Sequence, residues 1–574
     1  MKMCAELLLK VGICSVAVLL LMVGCSALEP APVIRIQQGL IRGTTLISAR
    51  SNNSYFAFMG IPYAKPPVGE ARFKSPQPAE PWSSVRNTTV EGSPCPQFNT
   101  LVNKYMGEED CLFINVYTPK LNASPPLAVM VWVHGGDFVL GAGDRSIYGA
   151  DFLVDQDIVV VTLNYRLGVL GFLSLQLEDA PGNSGLKDQV LALRWVQQNV
   201  AQFGGDPRKV TIFGQSAGAA CVHFHLLSPM SRGLFRSAIS ESGSVLNPWA
   251  YQTPEESVEL AFLLGAEFGA RSKDPHDVLQ VLKTAPAIEL AYFVYTSYLQ
   301  PRVAAIIGPT VDSKARSGEV FLPDTPINLI SEGKFLKIPY ITGINNEEAV
   351  MFTQLIRPIS WLLRPVEKVL QLALSMYIGV KPSKAKLMAE EVKNKYFNNS
   401  RPLALQYMDV ITDLLFIDGA YCTATKQEAA PHSAVYSYEF SFNGTANFGK
   451  KMADGTEYPG ASHADDLGYL FKIGGWKVDL IPGTPEYLTS QRIVKLWTNF
   501  AKTGSPTPER DELLQNITWK PVTGKSFPYL NIDTNLTIRY NLNEGRPIWW
   551  EQLYKKYVPQ HTSCWPFYFR VPLK

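Results

Sequence analysis

Phe213-Gly214-Gln215-Ser216-Ala217-Gly218-Ala219 sets a serine midway between two glycines. The apolar run Lys209-Val210-Thr211-Ile212-Phe213 precedes it, and a small-residue stretch that reads as a helix follows. In a strand-turn-helix context this G-x-S-x-G spacing makes a turn sharp enough to lift Ser216 clear of the backbone. The helix N-terminus behind it supplies N–H groups and a partial positive charge. The chemistry implied is nucleophilic acyl transfer, and the competing reading is a glycine turn without chemistry. A serine nucleophile needs a base. Of the seven histidines, His134 belongs to a glycine turn. His223 and His225 fall on the helix after Ser216 and read as packing residues. His276 and His432 lie in polar loops beside prolines, and His561 is in the tail. His463 sits in Pro459-Gly460-Ala461-Ser462-His463-Ala464-Asp465-Asp466, just ahead of the apolar Leu467–Phe471. A loop histidine held by a rigid element is where a base is placed, so His463 is a candidate, no more than that on its own residues.

A second turn raises a question. Val133-His134-Gly135-Gly136-Asp137-Phe138 reads as a strand entering a tight glycine turn. If that turn holds a developing negative charge, the carboxylate of Asp137 is an odd residue to find in it.

The elements that must position these residues are legible from periodicity. Leu127–Val133, Asp157–Leu163, Lys209–Phe213 and Ser237–Ser240 read as buried strands, with β-branched residues prominent. Leu186–Phe203 reads as a helix with apolar positions at Val190, Leu193, Val196 and Val200. Strands alternating with helices predict an α/β fold with a mostly parallel sheet covered on both faces. Thr253–Tyr407 reads as mostly helical with proline breaks. Ile338–Thr342 and Ala434–Tyr438 are later strands able to rejoin the sheet, with Pro339 tolerated at a strand start.

The chain has 574 residues, 46% apolar and 18% charged, with a net charge of +2. A large core is feasible, disorder is not expected, and the absence of a basic block argues against nucleic acid as a partner. Lys2 and Lys10, an apolar run from Val11 to Gly24, and Cys25-Ser26-Ala27 have the layout of a secretory signal cleaved near Ala27. The run falls short of the roughly 20 residues of a full span. Residues 28–574 then form one domain with large helical insertions and no stable membrane anchor; Trp361–Val380, the nearest to a span, reads as an amphipathic helix. Asn-x-Ser/Thr sites begin at Asn52, Asn87, Asn122, Asn398, Asn443, Asn516 and Asn535. Ordinary composition gives about three such sites, so the excess predicts a secreted, extracellular glycoprotein. Of the eight cysteines, Cys4, Cys14 and Cys25 lie in the signal. Cys95 and Cys111 flank a polar, turn-rich loop and are the natural pair. Cys221 reads as a buried hydrophobe, and the odd count leaves at least one thiol outside intrachain pairs.

Taken together, several segments in order resemble the type-B carboxylesterase and cholinesterase family of α/β-hydrolases, nearest to its secreted insect carboxylesterases. They are Phe58–Phe73, Glu109–Asn115, Asn164-Tyr165-Arg166-Leu167-Gly168, Gly182–Gln189 and Phe203–Pro207. The resemblance covers essentially all of 28–574. It implies an α/β-hydrolase fold, a Cys95–Cys111 disulfide, and a Ser–Glu–His set. Glu348 takes the acid's place in Gly343–Glu348, and His463 the base's place in G-x-x-H-x-x-D/E from Gly460 to Asp466. It implies oxyanion donors at Gly136, Asp137 and Ala217, and a supporting hydrogen bond from Ser242, whose bland alternative is an ordinary buried serine. No metal or organic cofactor is implied.

Two departures from that family stand out. Its glycine turn ordinarily has glycine where this chain has Asp137. Either the carboxylate swings away and only narrows the acyl site, or it faces the reacting centre, opposes the oxyanion and orients water against an adduct on Ser216. The family commonly has Glu before the nucleophile; this chain has Gln215, as juvenile hormone esterases do, whose substrates are apolar methyl esters. The Cys95–Cys111 loop has no tryptophan to hold a choline cation. The expectation is a serine carboxylesterase hydrolysing small or medium apolar carboxylic esters through an acyl-serine. Its rivals are a slow-turnover organophosphate or xenobiotic sequestering esterase and a non-catalytic ligand-binding or adhesion member.

Overall fold

The computed structural model describes residues 32–99, 104–297, 307–377, 380–398, 400–428, 434–475, 480–524 and 526–558. The expected signal, His432, His561 and Cys564 lie outside the described residues.

Eleven strands form the main sheet: β1 (Thr44–Ile47), β2 (Ser54–Pro62), β3 (Phe113–Thr118), β4 (Leu127–Val133), β5 (Ile158–Leu163), β6 (Gly205–Gln215), β7 (Ser237–Glu241), β8 (Tyr340–Asn345), β9 (Val435–Phe440), β10 (Pro528–Ile532) and β11 (Leu536–Tyr540). Their spatial order is β11-β10-β9-β8-β7-β6-β4-β5-β3-β2-β1. From β5 across to β10 every pairing is parallel. The pairings outside that block, β10–β11, β5–β3, β3–β2 and β2–β1, are antiparallel. This is the α/β-hydrolase arrangement expected from the sequence.

The central strands are apolar throughout because both faces are covered. Alternate residues of one strand enter different cores. Val129, Val131, Val133, Val159, Val161 and Ile212 join one cluster with Leu186, Val190 and Val196 of α1 (Ser184–Asn199) and Ala220 and Phe224 of α2 (Ala217–Leu227). Met130, Trp132, Ile158, Val160 and Phe213 join a second cluster on the opposite face. There they meet Ile493, Leu496, Trp497 and Phe500 of α3 (Pro485–Thr503). The side-chain period of two thus becomes a three-layer sandwich. Helix α3 shows how the ends are set. Thr484 caps the Tyr487 N–H at 3.3 Å, Pro485 takes the first helical position, and Gly504 closes the helix at φ 82°.

Most expected strands are present with shifted ends. Pro339 sits just before β8, and its carbonyl accepts from the Ala238 N–H at 3.2 Å. Two expectations change. His276 is not in a loop but in the first turn of the helix Pro275–Thr284, where Asp274 caps its N–H at 2.8 Å; Asp-Pro is a helix start as well as a turn signal. Trp361–Val380 is divided between a 3₁₀ segment, Arg357–Leu363, and an α-helix, Val366–Tyr377, because Pro365 interrupts the run. Among the described residues no helix is long and apolar enough to cross a membrane.

Cys95 and Cys111 are disulfide-bonded across a sequence separation of 16. Cys422 is also disulfide-bonded, while Cys221 is a buried free thiol whose pKa burial pushes up to about 12. Closing a loop of that length contributes about 3 kcal/mol in the chain-entropy account. Replacing both Cys95 and Cys111 by serine is therefore expected to lower unfolding free energy by about that amount. Urea titration would check it, and an unchanged midpoint would refute it.

Candidate active site

Four loops at the carboxyl ends of β4, β6, β8 and β9 converge. The first is the elbow after β6. Ser216 has φ 59° and ψ −126°, a region costly for a residue with a side chain and held only when the surroundings over-determine it. Its N–H donates to the Glu241 carbonyl at 2.8 Å, and its carbonyl accepts from the Ala220 N–H at 3.0 Å. A Cβ at Gly218 would lie 2.1 Å from the Val133 carbonyl oxygen, and one at Gly214 2.5 Å from the same atom. Both motif glycines are therefore required by contact with β4, in addition to any demand of the turn itself.

The glycine turn after β4 lies against that elbow. Gly136 has φ 112°, Asp137 φ 53° and Phe138 φ 60°. A Cβ on Gly136 would fall 2.1 Å from the Leu140 carbonyl, so no other residue fits there. Asp137 occupies the left-handed region, which Asp tolerates better than most side chains; the backbone admits it without rearrangement. Among the described residues the Gly136 and Ala217 N–H groups donate to no backbone carbonyl, leaving two donors unspent beside Ser216.

Glu348 and His463 meet after β8 and β9. His463 Nδ1 donates to Glu348 Oε2 at 2.6 Å, and Glu348 Oε1 accepts from the Asn345 N–H at 2.8 Å. The acid is fully buried and the imidazole 5% exposed. Phe416 packs against the ring at 4.7 Å. The histidine loop is pinned from below by Asp465, which accepts from the Ser462 N–H at 2.6 Å, the Lys450 N–H at 2.8 Å and the Asn447 amide at 2.8 Å. Burial still pushes Asp465 up to about 6. Burial and the nearby Glu348 charge push Asp466 up to about 7. Glu347, the other carboxylate of the pair, turns away to Arg401 at 3.1 Å.

One contact was not anticipated from the sequence. Gln215 Nε2 lies 3.0 Å from His463 Nε2. With Nδ1–H spent on Glu348, Nε2 is the acceptor, and the buried amide donates to it. Ser216 Oγ makes no hydrogen bond among the described residues. No local signal points to this contact, because the two residues are 248 positions apart.

The remaining histidines are engaged elsewhere. His223 meets Gln427 at 2.6 Å, and His225 bridges Ser231 and Gln189 at 2.7 and 2.9 Å. Burial lowers both to about 3, so they stay neutral. His134 stacks on Tyr165, and burial lowers it to about 4. Ser242 Oγ is buried and meets no hydrogen-bond partner among the described residues. No group of three or more metal-ligating side chains occurs among the described residues.

The model of the carboxylesterase family matches residues 30–550. Juvenile hormone esterase of Tribolium castaneum is 36% identical over 532 residues, covering 88% of this chain and 90% of that protein. Venom carboxylesterase-6 of Apis mellifera is 32% identical, covering 92% and 95%. The crystal structure of juvenile hormone esterase from Manduca sexta, with OTFP covalently attached, superposes with a TM-score of 0.80 at 31% identity, covering 92% of this chain and all of that one. With fold, family model and relatives in agreement, this chain belongs to the carboxylesterase family and is a carboxylic ester hydrolase of the serine hydrolase class.

Proposed function

We propose that Ser216, His463 and Glu348 are the catalytic triad of a secreted, glycosylated carboxylesterase acting on apolar esters through an acyl-serine. The observation that carries this reading is the 2.6 Å His463–Glu348 bond, formed by two buried side chains 115 positions apart beside the strained Ser216 elbow. Ser216 Oγ attacks the ester carbonyl while His463 Nε2 takes its proton. The N–H groups of Gly136, Asp137 and Ala217 receive the oxyanion. His463 returns the proton to the leaving alcohol, and water then repeats the sequence on the acyl-serine. Glu348 holds the tautomer and stabilises the imidazolium. Gln215 must yield Nε2 to Ser216 as substrate enters, since both groups use the same lone pair. Small-molecule esters are the partners of this site, and no step needs a metal or cofactor. All seven sequon asparagines are exposed, which supports the glycoprotein reading.

Ser216→Ala is expected to abolish hydrolysis of an aryl acetate with the fold intact, and His463→Ala to be more damaging than Glu348→Gln. By analogy with such triads the losses in kcat are on the order of 10⁴-fold or more. Fluorophosphonate labelling at Ser216, followed over time, separates the readings. Labelling and steady ester turnover support the esterase; labelling with only stoichiometric product supports a sequestering protein; no labelling supports a non-catalytic member.

Gln215→Glu places an anion on the base. An opposite charge at that range favours the imidazolium and raises its pKa by about one unit or more. A base that must be neutral is then lost at higher pH. The acid limb of kcat/KM is expected to move up by about one pH unit. An unmoved limb would mean that Gln215 does not bear on His463 during turnover.

Asp137→Gly tests the odd residue of the oxyanion turn. Faster ester hydrolysis, increasingly so for bulkier acyl groups, together with slower recovery from organophosphates, is expected if the carboxylate faces the reacting centre. Both rates are measured in one preparation. A gain in ester turnover alone makes Asp137 an obstacle only, and no change in either means that it points away.

A further inference from the structure

The segment just beyond the catalytic acid displays apolar side chains that the core does not use. Met351, Leu355, Ile359, Trp361 and Leu362 are 36, 67, 44, 65 and 50% exposed. Their neighbours Val350 and Ile356 already fill the core beneath, against Leu405 and Met408. The outward residues are therefore surplus to folding, and five large apolar groups are exposed within twelve residues, a density unlike single scattered exposure. The segment begins three residues after Glu348, at the carboxyl end of β8. Parallel β6 delivers Ser216 at its own carboxyl end, so the patch lies at the end of the sheet where the site opens.

Its charges are one-sided. Within residues 351–368, Arg357, Arg364 and Lys368 stand against one carboxylate of the segment itself, Glu367, which lies 3.6 Å from Lys393. Arg357 reaches Glu457 at 3.2 Å, but both side chains are largely exposed. Tryptophan beside leucine and isoleucine, bordered by arginine and lysine, is the composition that settles at a headgroup boundary. A second copy of this chain is a poorer occupant, because a two-fold face would set the same three cations against themselves.

We infer that this face docks on a lipid–water interface carrying anionic headgroups and brings the site to apolar esters dissolved there. The inference rests on the esterase reading for its purpose but not for the binding itself. Apolar side chains supply the adhesion, and the cations supply the preference for anionic lipid, which salt screens.

The test is co-sedimentation of the full chain with phosphatidylcholine vesicles, with and without phosphatidylglycerol. Binding is expected to be about tenfold stronger with the anionic lipid and to weaken in high salt. The double variant Trp361→Asp, Leu362→Asp is expected to lose about tenfold in vesicle binding and in turnover of a long-chain ester held in vesicles, with turnover of a soluble aryl acetate unchanged. Should that variant not fold, Arg364→Glu with Lys368→Glu is expected to remove the anionic preference alone. Ser216→Ala should bind vesicles as the wild type does, so loss of catalysis and loss of docking are read separately. Absence of wild-type binding to either vesicle would overturn the proposal. So would full binding by the folded variant, or a concentration-dependent dimer that the same changes abolish.

Discussion

The site depends on two backbone turns touching with no side chain between them. The Val133 carbonyl oxygen occupies the space where a Cβ on Gly214 or Gly218 would stand, and a Cβ on Gly135 would lie 2.6 Å from the Gln215 carbonyl and 3.0 Å from Ser216 Cβ. The elbow after β6 and the turn after β4 are thus pressed together. Parallel pairing of β6 with β4, Phe213 opposite Trp132 and Gly214 opposite Val133, carries that contact into the sheet. On the proposed reading, this close approach is what sets the Gly136 and Ala217 N–H groups beside the nucleophile. The two glycine-rich motifs, far apart in sequence, are two halves of one steric requirement.

Around that contact the protein has buried more carboxylates than it has cations to pair with them. Glu241 lends its backbone carbonyl to the Ser216 N–H while its side chain accepts from Trp497 at 2.7 Å, and burial beside Asp466 raises its pKa well above the ordinary range. Asp466 is raised by burial and by the nearby Glu348 charge. Glu348 accepts a backbone N–H on one oxygen and His463 on the other. What sets Glu348 apart from the acids close to it in space is its direct bond to the imidazole.

These contacts show what the sequence carried and what it could not. The strands β4 to β9 of the parallel block were legible because burial on both faces demands apolar runs, whereas the short β10, Pro528–Ile532, was not singled out in the sequence. The elbow was legible because its glycines are close in sequence to the serine they serve. Glu348 was a different matter: Glu347 and Glu348 are chemically identical neighbours, and no periodicity chooses between them. Only the fold turns one to Arg401 and the other to His463. His276 was misread because Asp-Pro begins helices as readily as turns. The Gln215 contact was invisible for the opposite reason, since it joins the last residue of β6 to a loop after β9 that strand pairing, not nearness in sequence, brings together.

That contact also bears on why Asp137 can stand in the glycine turn. The resemblance makes glycine and glutamate the ordinary residues at positions 137 and 215; here the carboxylate and the neutral side chain have changed places. The backbone permits the first change, since φ 53° is open to Asp. The buried amide permits the second, since it hydrogen-bonds Nε2 without the desolvation cost of a second buried anion. An anion held on Nε2 would favour the imidazolium and delay its return of a proton to the leaving alcohol. A neutral amide donating to the same atom favours the free base. The exchange leaves the formal charge of these two positions unchanged; on the reading in which the Asp137 carboxylate faces the reacting centre, it would also shift the electrostatic burden from proton transfer to the oxyanion.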